Sequence, residues 1–156
     1  MARKLLTLVL IRDGERLLLG MKKRGFGAGR YNGFGGKVHD GETIEDAARR
    51  ETREECGLEL RKMEEVGVHE FEFAHDRGNI LEVHVFRGDT WEGEPVETEE
   101  MCPEWFPIDA IPYATMWPDD HLWIPIFLQG KKFRTTFLFG QSDQVLEQKI
   151  TVVTEL

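Results

Sequence analysis

Three glutamates, Glu51, Glu54 and Glu55, stand close together in a stretch of good helix formers. Placed on a helix at about 100° per residue, they fall on one face with Ile44, Ala47, Ala48 and Leu58. Glu45, Asp46, Arg49 and Arg53 fall opposite. A face that begins and ends apolar thus carries three carboxylates in its middle. Carboxylates on a packing face are costly unless compensated. A divalent cation compensates all three, and oxygen-only ligands suit Mg²⁺, with Mn²⁺ as a substitute. The plainer alternative is an amphipathic helix whose acids line a wet groove.

The surrounding punctuation supports the helix. Thr43 is a candidate N-cap with Asp46 three residues on, and Gly57 is a candidate stop. Gly36 to Gly41 precedes it as a glycine-rich loop. The spacing from Gly36 through Glu42, Arg50, Glu51, Glu54, Glu55, Gly57 and Leu58 resembles the Nudix box, the signature of the Nudix hydrolase family. Thr52 stands where that pattern has an aliphatic. It lies toward the side away from the acids, so a packing cost and no loss of chemistry is expected.

The resemblance implies Mg²⁺-dependent hydrolysis of a nucleoside diphosphate linked to another group, on an α/β (α+β) Nudix fold with a mixed sheet between helices. It implies that Glu51, Glu54 and Glu55 hold the metal and activate water, with the carbonyl of Gly36 in the metal shell. Arg50 is expected to orient the glutamates. Phosphoryl transfer needs positioning, charge neutralisation and an activated water, which such a set supplies.

At 156 residues with ten Phe, the chain fits a single domain, 1–156, with a real core. A net charge of −9 argues against a nucleic-acid polymer as partner. Two cysteines, Cys56 and Cys102, are too few for a disulfide scaffold, and Cys56 reads as a packing residue. The apolar run Leu5 to Ile11 is short and ends in charge without a cleavage motif, so it reads as a strand and not a signal peptide. No run is long enough to span a membrane. A soluble, cytoplasmic monomer is the expectation, with a nuclear or mitochondrial share open.

Along the chain, residues 4–12 and 16–21 read as strands about the turn Asp13-Gly14. Residues 22–30 form the one dense basic run, either a solvated loop or a phosphate-facing one carrying the aromatic Phe26. Asn32 can donate and accept, as reading a purine edge requires. Residues 61–73 and 80–87 alternate as strands, and 90–103 reads as an acidic loop. Trp105-Phe106 reads as a short strand. Asp119 and Asp120 open a helix to about Gln129 with Gly130 as its stop. Two adjacent acids among Met116, Trp117 and Trp123 can also have raised pKa values. Strands over 131–139 and 144–153 finish the sheet. No histidine spacing suggests a metal.

The flanks, Gly20 to Val38 and Met116 to Asp120, resemble the animal MutT-homologue branch of the family, the oxidised-purine triphosphatases. That implies 8-oxo-dGTP, 2-hydroxy-dATP and O6-methyl-dGTP as substrates, with monophosphate and pyrophosphate as products. It implies that Asn32, Asp119 and Asp120 read the base, that Phe26, Phe71, Phe73 and Trp117 wall the pocket, and that Thr7 and Lys22 line it. It extends the binding set to Phe34, Gly35, Gly36, Lys37, Leu81, Pro118 and Trp123, and the metal set to Glu100. Leu81 and Tyr31 depart from the branch, standing where methionine and tryptophan are expected. The rival expectations are another Nudix diphosphatase (ADP-ribose, capped RNA or dinucleoside polyphosphate) and a non-catalytic nucleotide-binding module. The latter would typically have lost a box glutamate.

Overall fold

The computed structural model describes residues 2–156. In chain order the strands are β1 (Ala2–Asp13), β2 (Arg16–Lys22), β3 (Tyr31–Asn32), β4 (Glu59–Phe73), β5 (Asn79–Glu92), β6 (Met101–Pro107), β7 (Lys132–Phe139) and β8 (Val145–Val153). The helices are α1 (Ile44–Cys56), after β3, and α2 (Asp120–Leu128), after β6. The strands form one mixed sheet in the order β3-β2-β1-β5-β4-β7-β8, with β6 also paired to β2. β1–β5 and β4–β7 run parallel; the other pairs are antiparallel.

The near-continuous apolar run of β1 follows from burial on both faces. Leu8 and Leu10 point into a core shared with Trp123, Ile124 and Phe127 of α2. Val9 and Ile11 point into a second core with Ala48 and Cys56 of α1, Phe34 and Phe86. The sheet is thus sandwiched between its two helices. No helix is long and apolar enough to cross a membrane.

Helix α1 ends as its residues dictate. The Thr43 side chain accepts the Asp46 N–H, and Gly57 is left-handed at φ 78° with its N–H donating to Arg53 O. Thr52 lies on the core side, not away from it, and is fully buried. Its Oγ1 donates to Ala48 O at 2.8 Å, so the hydroxyl is satisfied by the helix itself. That carbonyl also has its own helical N–H, so a Thr52→Val change orphans nothing. It should be neutral or stabilising by up to about 1 kcal/mol, read as the urea midpoint; a clear loss of stability would show that the hydroxyl does more.

The largest departures from the expected strands lie at β5, β6 and β3. β5 runs on to Glu92 and β6 begins at Met101, so the acidic connection shrinks to 93–100. Trp91 and Trp105 account for this: they pack 6.1 Å apart against the α1-side core and anchor the strand ends amid charge. Tyr31–Asn32, not expected as a strand, pairs with Gly20 and Met21 of β2. The chain then bridges back to β1 at Phe34 and Lys37. This pairing draws the glycine-rich segment under α1.

Candidate active site

The acid face of α1 and the Gly35–Gly36 segment meet closely. A Cβ on Gly36 would stand 2.6 Å from the Glu51 carboxylate, and one on Gly35 would stand 1.8 Å from Thr7 O. Only glycine allows both approaches. Gly35 N–H donates to Glu55 Oε1 at 2.7 Å, and Thr7 N–H donates to Gly36 O at 2.9 Å. Thr7 therefore lies beneath this turn, its side chain on the parity of Val9 and Ile11 and its buried Oγ1 without a partner. It is not on the aromatic wall.

The three glutamates are not equivalent. Glu55 is buried, Glu51 is half-buried, and Glu54 is 56% exposed. Burial pushes the Glu55 carboxyl up to about 7; the Gly35 N–H opposes this, and the Glu51 and Glu100 charges add to it. Arg50 is the organiser. It bonds Glu42 at 2.7 and 3.0 Å, Glu51 at 2.9 Å, Glu54 at 3.3 Å and Lys37 O at 3.0 Å. Bonding to Arg50 holds Glu42 down near 2.

Glu100 reaches this face because the acidic connection is clamped to the end of α1. Thr98 Oγ1 donates to Glu55 O and Val96 N–H to Cys56 O, both at 2.9 Å. The β2–β6 register then sets Lys22 opposite Met101. The Lys22 ammonium stands 4.0 Å from Glu55 and 3.7 Å from Glu100, a cation where carboxylates converge. The rest of the basic run does not stand free. Lys23 pairs with Glu97 and donates to Thr98 O; Arg24 pairs with Glu100 at 2.6 Å and Glu99 at 3.6 Å. Arg24 holds the Glu100 carboxyl below the ordinary value.

Among the described residues, no three of His, Cys, Asp and Glu already converge as a metal cage. Arg50 draws Glu51 and Glu54 to one side and the Gly35 amide holds Glu55. The donor chemistry nonetheless fits a divalent cation: all-oxygen ligands, an acid raised by burial and then by its acidic neighbours, and a Gly36 carbonyl with a second lone pair.

The other half of the site lies on the α2 side of the sheet. Trp117 is 5.0 Å from Phe26 and 5.9 Å from Phe139, and Phe26 is 6.2 Å from Phe73. Phe71 and Leu81 are cross-strand partners, both half-buried beside this cluster. Arg30 was anticipated only as basic charge. It lies over the Trp117 ring at 4.2 Å and pairs with Asp143 at 2.9 Å. Phe139 was not anticipated; it is buried against Phe71 and Phe73 at 5.4 Å each. Nothing in local spacing marks either residue, because both meet Trp117 only through the tertiary fold. Asn32 is half-buried, with Oδ1 accepting the Gly33 N–H at 2.8 Å; Lys37 is exposed, and Pro118 is half-buried.

Two expected lining residues are elsewhere. Phe34 is fully buried in the α1-side core and offers only its backbone here, because its pairing with Val9 turns the ring inward. Trp123 is 1% exposed and belongs to the α2-side core. Its indole N–H donates to Asp119 Oδ2 at 2.9 Å and Asp120 Oδ1 at 3.1 Å.

Both aspartates are buried, and Asp120 Oδ2 has no partner among the described residues. Asp119 stands at the start of α2 yet makes no cap bond, since its carboxylate turns inward to Trp123. Burial raises Asp119 to about 6. Burial, then repulsion from Asp119, raises Asp120 well above its ordinary value. The expectation of raised acids is met, and the cause is desolvation beneath the aromatic wall.

A family model for the NUDIX domain matches residues 2–127. The chain belongs to the Nudix family. Its residues are 54% identical over 153 positions to the oxidized purine nucleoside triphosphate hydrolase of Danio rerio, covering 98% of this chain and 97% of that protein. They are 51% identical over 150 positions to the mouse protein of the same name, covering 96% of each. The fold resembles that of a MutT protein from Bacillus halodurans, with a TM-score of 0.82 at 22% identity over 94% of this chain and 97% of that one. The segment Gly36 to Leu58 is its Nudix box, and Nudix hydrolases generally use a divalent metal.

Proposed function

We propose that this Nudix protein hydrolyses oxidised purine nucleoside triphosphates (8-oxo-dGTP, 2-hydroxy-dATP and, as a third substrate, O6-methyl-dGTP) to the monophosphate and pyrophosphate, keeping the nucleotide pool clean. It works with Mg²⁺, which Mn²⁺ can replace, as a cytoplasmic monomer. One observation carries the reading: two buried, raised aspartates stand beside a Trp-and-Phe wall in a chain whose box acids are intact. The names of the two relatives support it.

Glu51, Glu54, Glu55, Glu100 and the Gly36 carbonyl would hold the cation, which would supply charge neutralisation at the phosphates and an activated water. Arg50 keeps Glu51 and Glu54 aligned from outside this shell. Lys22 exchanges its Glu55 and Glu100 contacts for phosphate oxygens. Trp117, backed by Arg30, contributes an aromatic surface for the base together with Phe26, Phe71 and Phe73. A carboxylic acid that keeps its proton both donates and accepts, so Asp119 and Asp120 can meet two differently oxidised bases by exchanging roles.

The test is a panel of 8-oxo-dGTP, 2-hydroxy-dATP, O6-methyl-dGTP, dGTP and ADP-ribose with Mg²⁺, resolved by chromatography. Monophosphate and pyrophosphate should form from the modified purines far faster than from dGTP. Turnover of ADP-ribose alone would overturn the pocket assignment, and no turnover with retained binding would leave a nucleotide-binding module.

A further inference from the structure

A polar side chain lies behind the base pocket with no evident task. His69, on β4, is fully buried, and its Nδ1 lies 2.5 Å from Oγ1 of Thr135, its cross-strand partner on β7. Its Nε2 has no hydrogen-bond partner among the described residues. Burial lowers its pKa to about 3, so the ring is neutral and cannot offset the orphaned nitrogen by charge. An apolar side chain would suit the site better, and fold-level rules are broken most often where function requires it.

The ring touches both parts of the pocket. It meets Trp123 edge-on at 4.5 Å and stacks on Phe71 at 5.0 Å with 21° between the planes. Trp123 is the donor shared by Asp119 and Asp120, and Phe71 is a wall residue. The Thr135 bond fixes the plane of the imidazole, and that plane fixes the indole it abuts. Leucine or isoleucine would fill the space without a preferred plane.

We propose that His69 is a positioning residue that sets base selectivity: tethered by Thr135, it holds Trp123, and through it the Asp119–Asp120 pair, in the orientation that reads the base. This rests on the proposed reaction, and it extends that reading to a residue that touches neither substrate nor metal.

Two variants test it in the full-length protein. His69→Leu removes the tether and the plane; Thr135→Val keeps the ring but cuts the tether. Both should raise KM for 8-oxo-dGTP and 2-hydroxy-dATP unequally, changing the ratio of kcat/KM roughly fivefold, with kcat nearly unchanged. His69→Leu removes the unpaired Nε2 but strips the buried Thr135 Oγ1 of its partner, so Tm should change little. A changed selectivity at retained Tm and kcat separates positioning from folding. An unchanged substrate ratio in both variants, or a fall in kcat alone, would overturn the inference. If the wild-type protein failed to hydrolyse either oxidised purine, the proposed reaction would fall instead, and the wild-type lane reports that separately.

Discussion

Glu55→Gln should lower hydrolysis of 8-oxo-dGTP by roughly 10²–10⁴-fold, the range for removing a positioned acid–base group. Of the three box glutamates it alone is buried, and it alone contacts both the Gly35 amide and the Lys22 ammonium. Glutamine keeps an acceptor for the Gly35 N–H, so the turn should hold and the protein should fold. What is lost is the anionic oxygen facing Lys22, which is the side from which cation and phosphate are bound in the proposed reaction. Product formation by chromatography gives the rate, and Mn²⁺ titration followed by electron spin resonance gives the metal affinity. Wild-type turnover in this variant would remove Glu55 from the chemistry. Glu54→Gln should cost less, because Glu54 is exposed and only loosely held by Arg50.

Asp119→Asn should separate the two oxidised purines, with kcat/KM for one falling on the order of tenfold more than for the other. The amide oxygen still accepts the Trp123 N–H, so the pocket keeps its shape. The side chain, however, can no longer exchange donor and acceptor roles through a proton. Equal loss of both substrates would sink the role-exchange argument.

The same variant has a signature in stability. The folded pKa of Asp119 lies near 6, above its ordinary value of 3.8, so the folded state holds this proton longer than the unfolded one. The pair's contribution is therefore fully present below about 4 and is lost as pH rises through about 6. Asp120, also raised, acts with the same sign. Acids such as Glu42 and Glu59, lowered by arginine, act with the opposite sign. The informative quantity is thus the wild type minus Asp119→Asn difference in urea midpoint, which should fall across that window. A flat difference would place the raised acid elsewhere.

The reaction was readable in the chain because its signal is local. Helix periodicity alone puts Glu51, Glu54 and Glu55 together, and Thr43 and Gly57 bound that helix in the structure as their types predict. The strands of β1, β4 and β5 announced themselves by apolar runs and alternation. The ends of β5 and β6 did not, because Trp91 and Trp105 anchor them by meeting across the fold. The resemblance places Phe34 and Trp123 in the binding set, but position in the chain beside Asn32 and Asp120 does not say which way a ring turns. Strand pairing with Val9 sends the first into the core, and packing in the α2-side core buries the second.

By itself, then, the sequence determined the box, its all-oxygen donor set and the pairing of Asp119 with Asp120, since these depend on residue type and on spacings within a few helical turns. Only the tertiary structure decided which glutamate is buried, that Lys23 and Arg24 are occupied by the 93–100 connection, and that Trp123 and His69 stand behind the aspartates. Those outcomes depend on desolvation and on contacts between residues far apart in the chain. Burial is a property of the packed sheet and its two helices, and no local pattern encodes it.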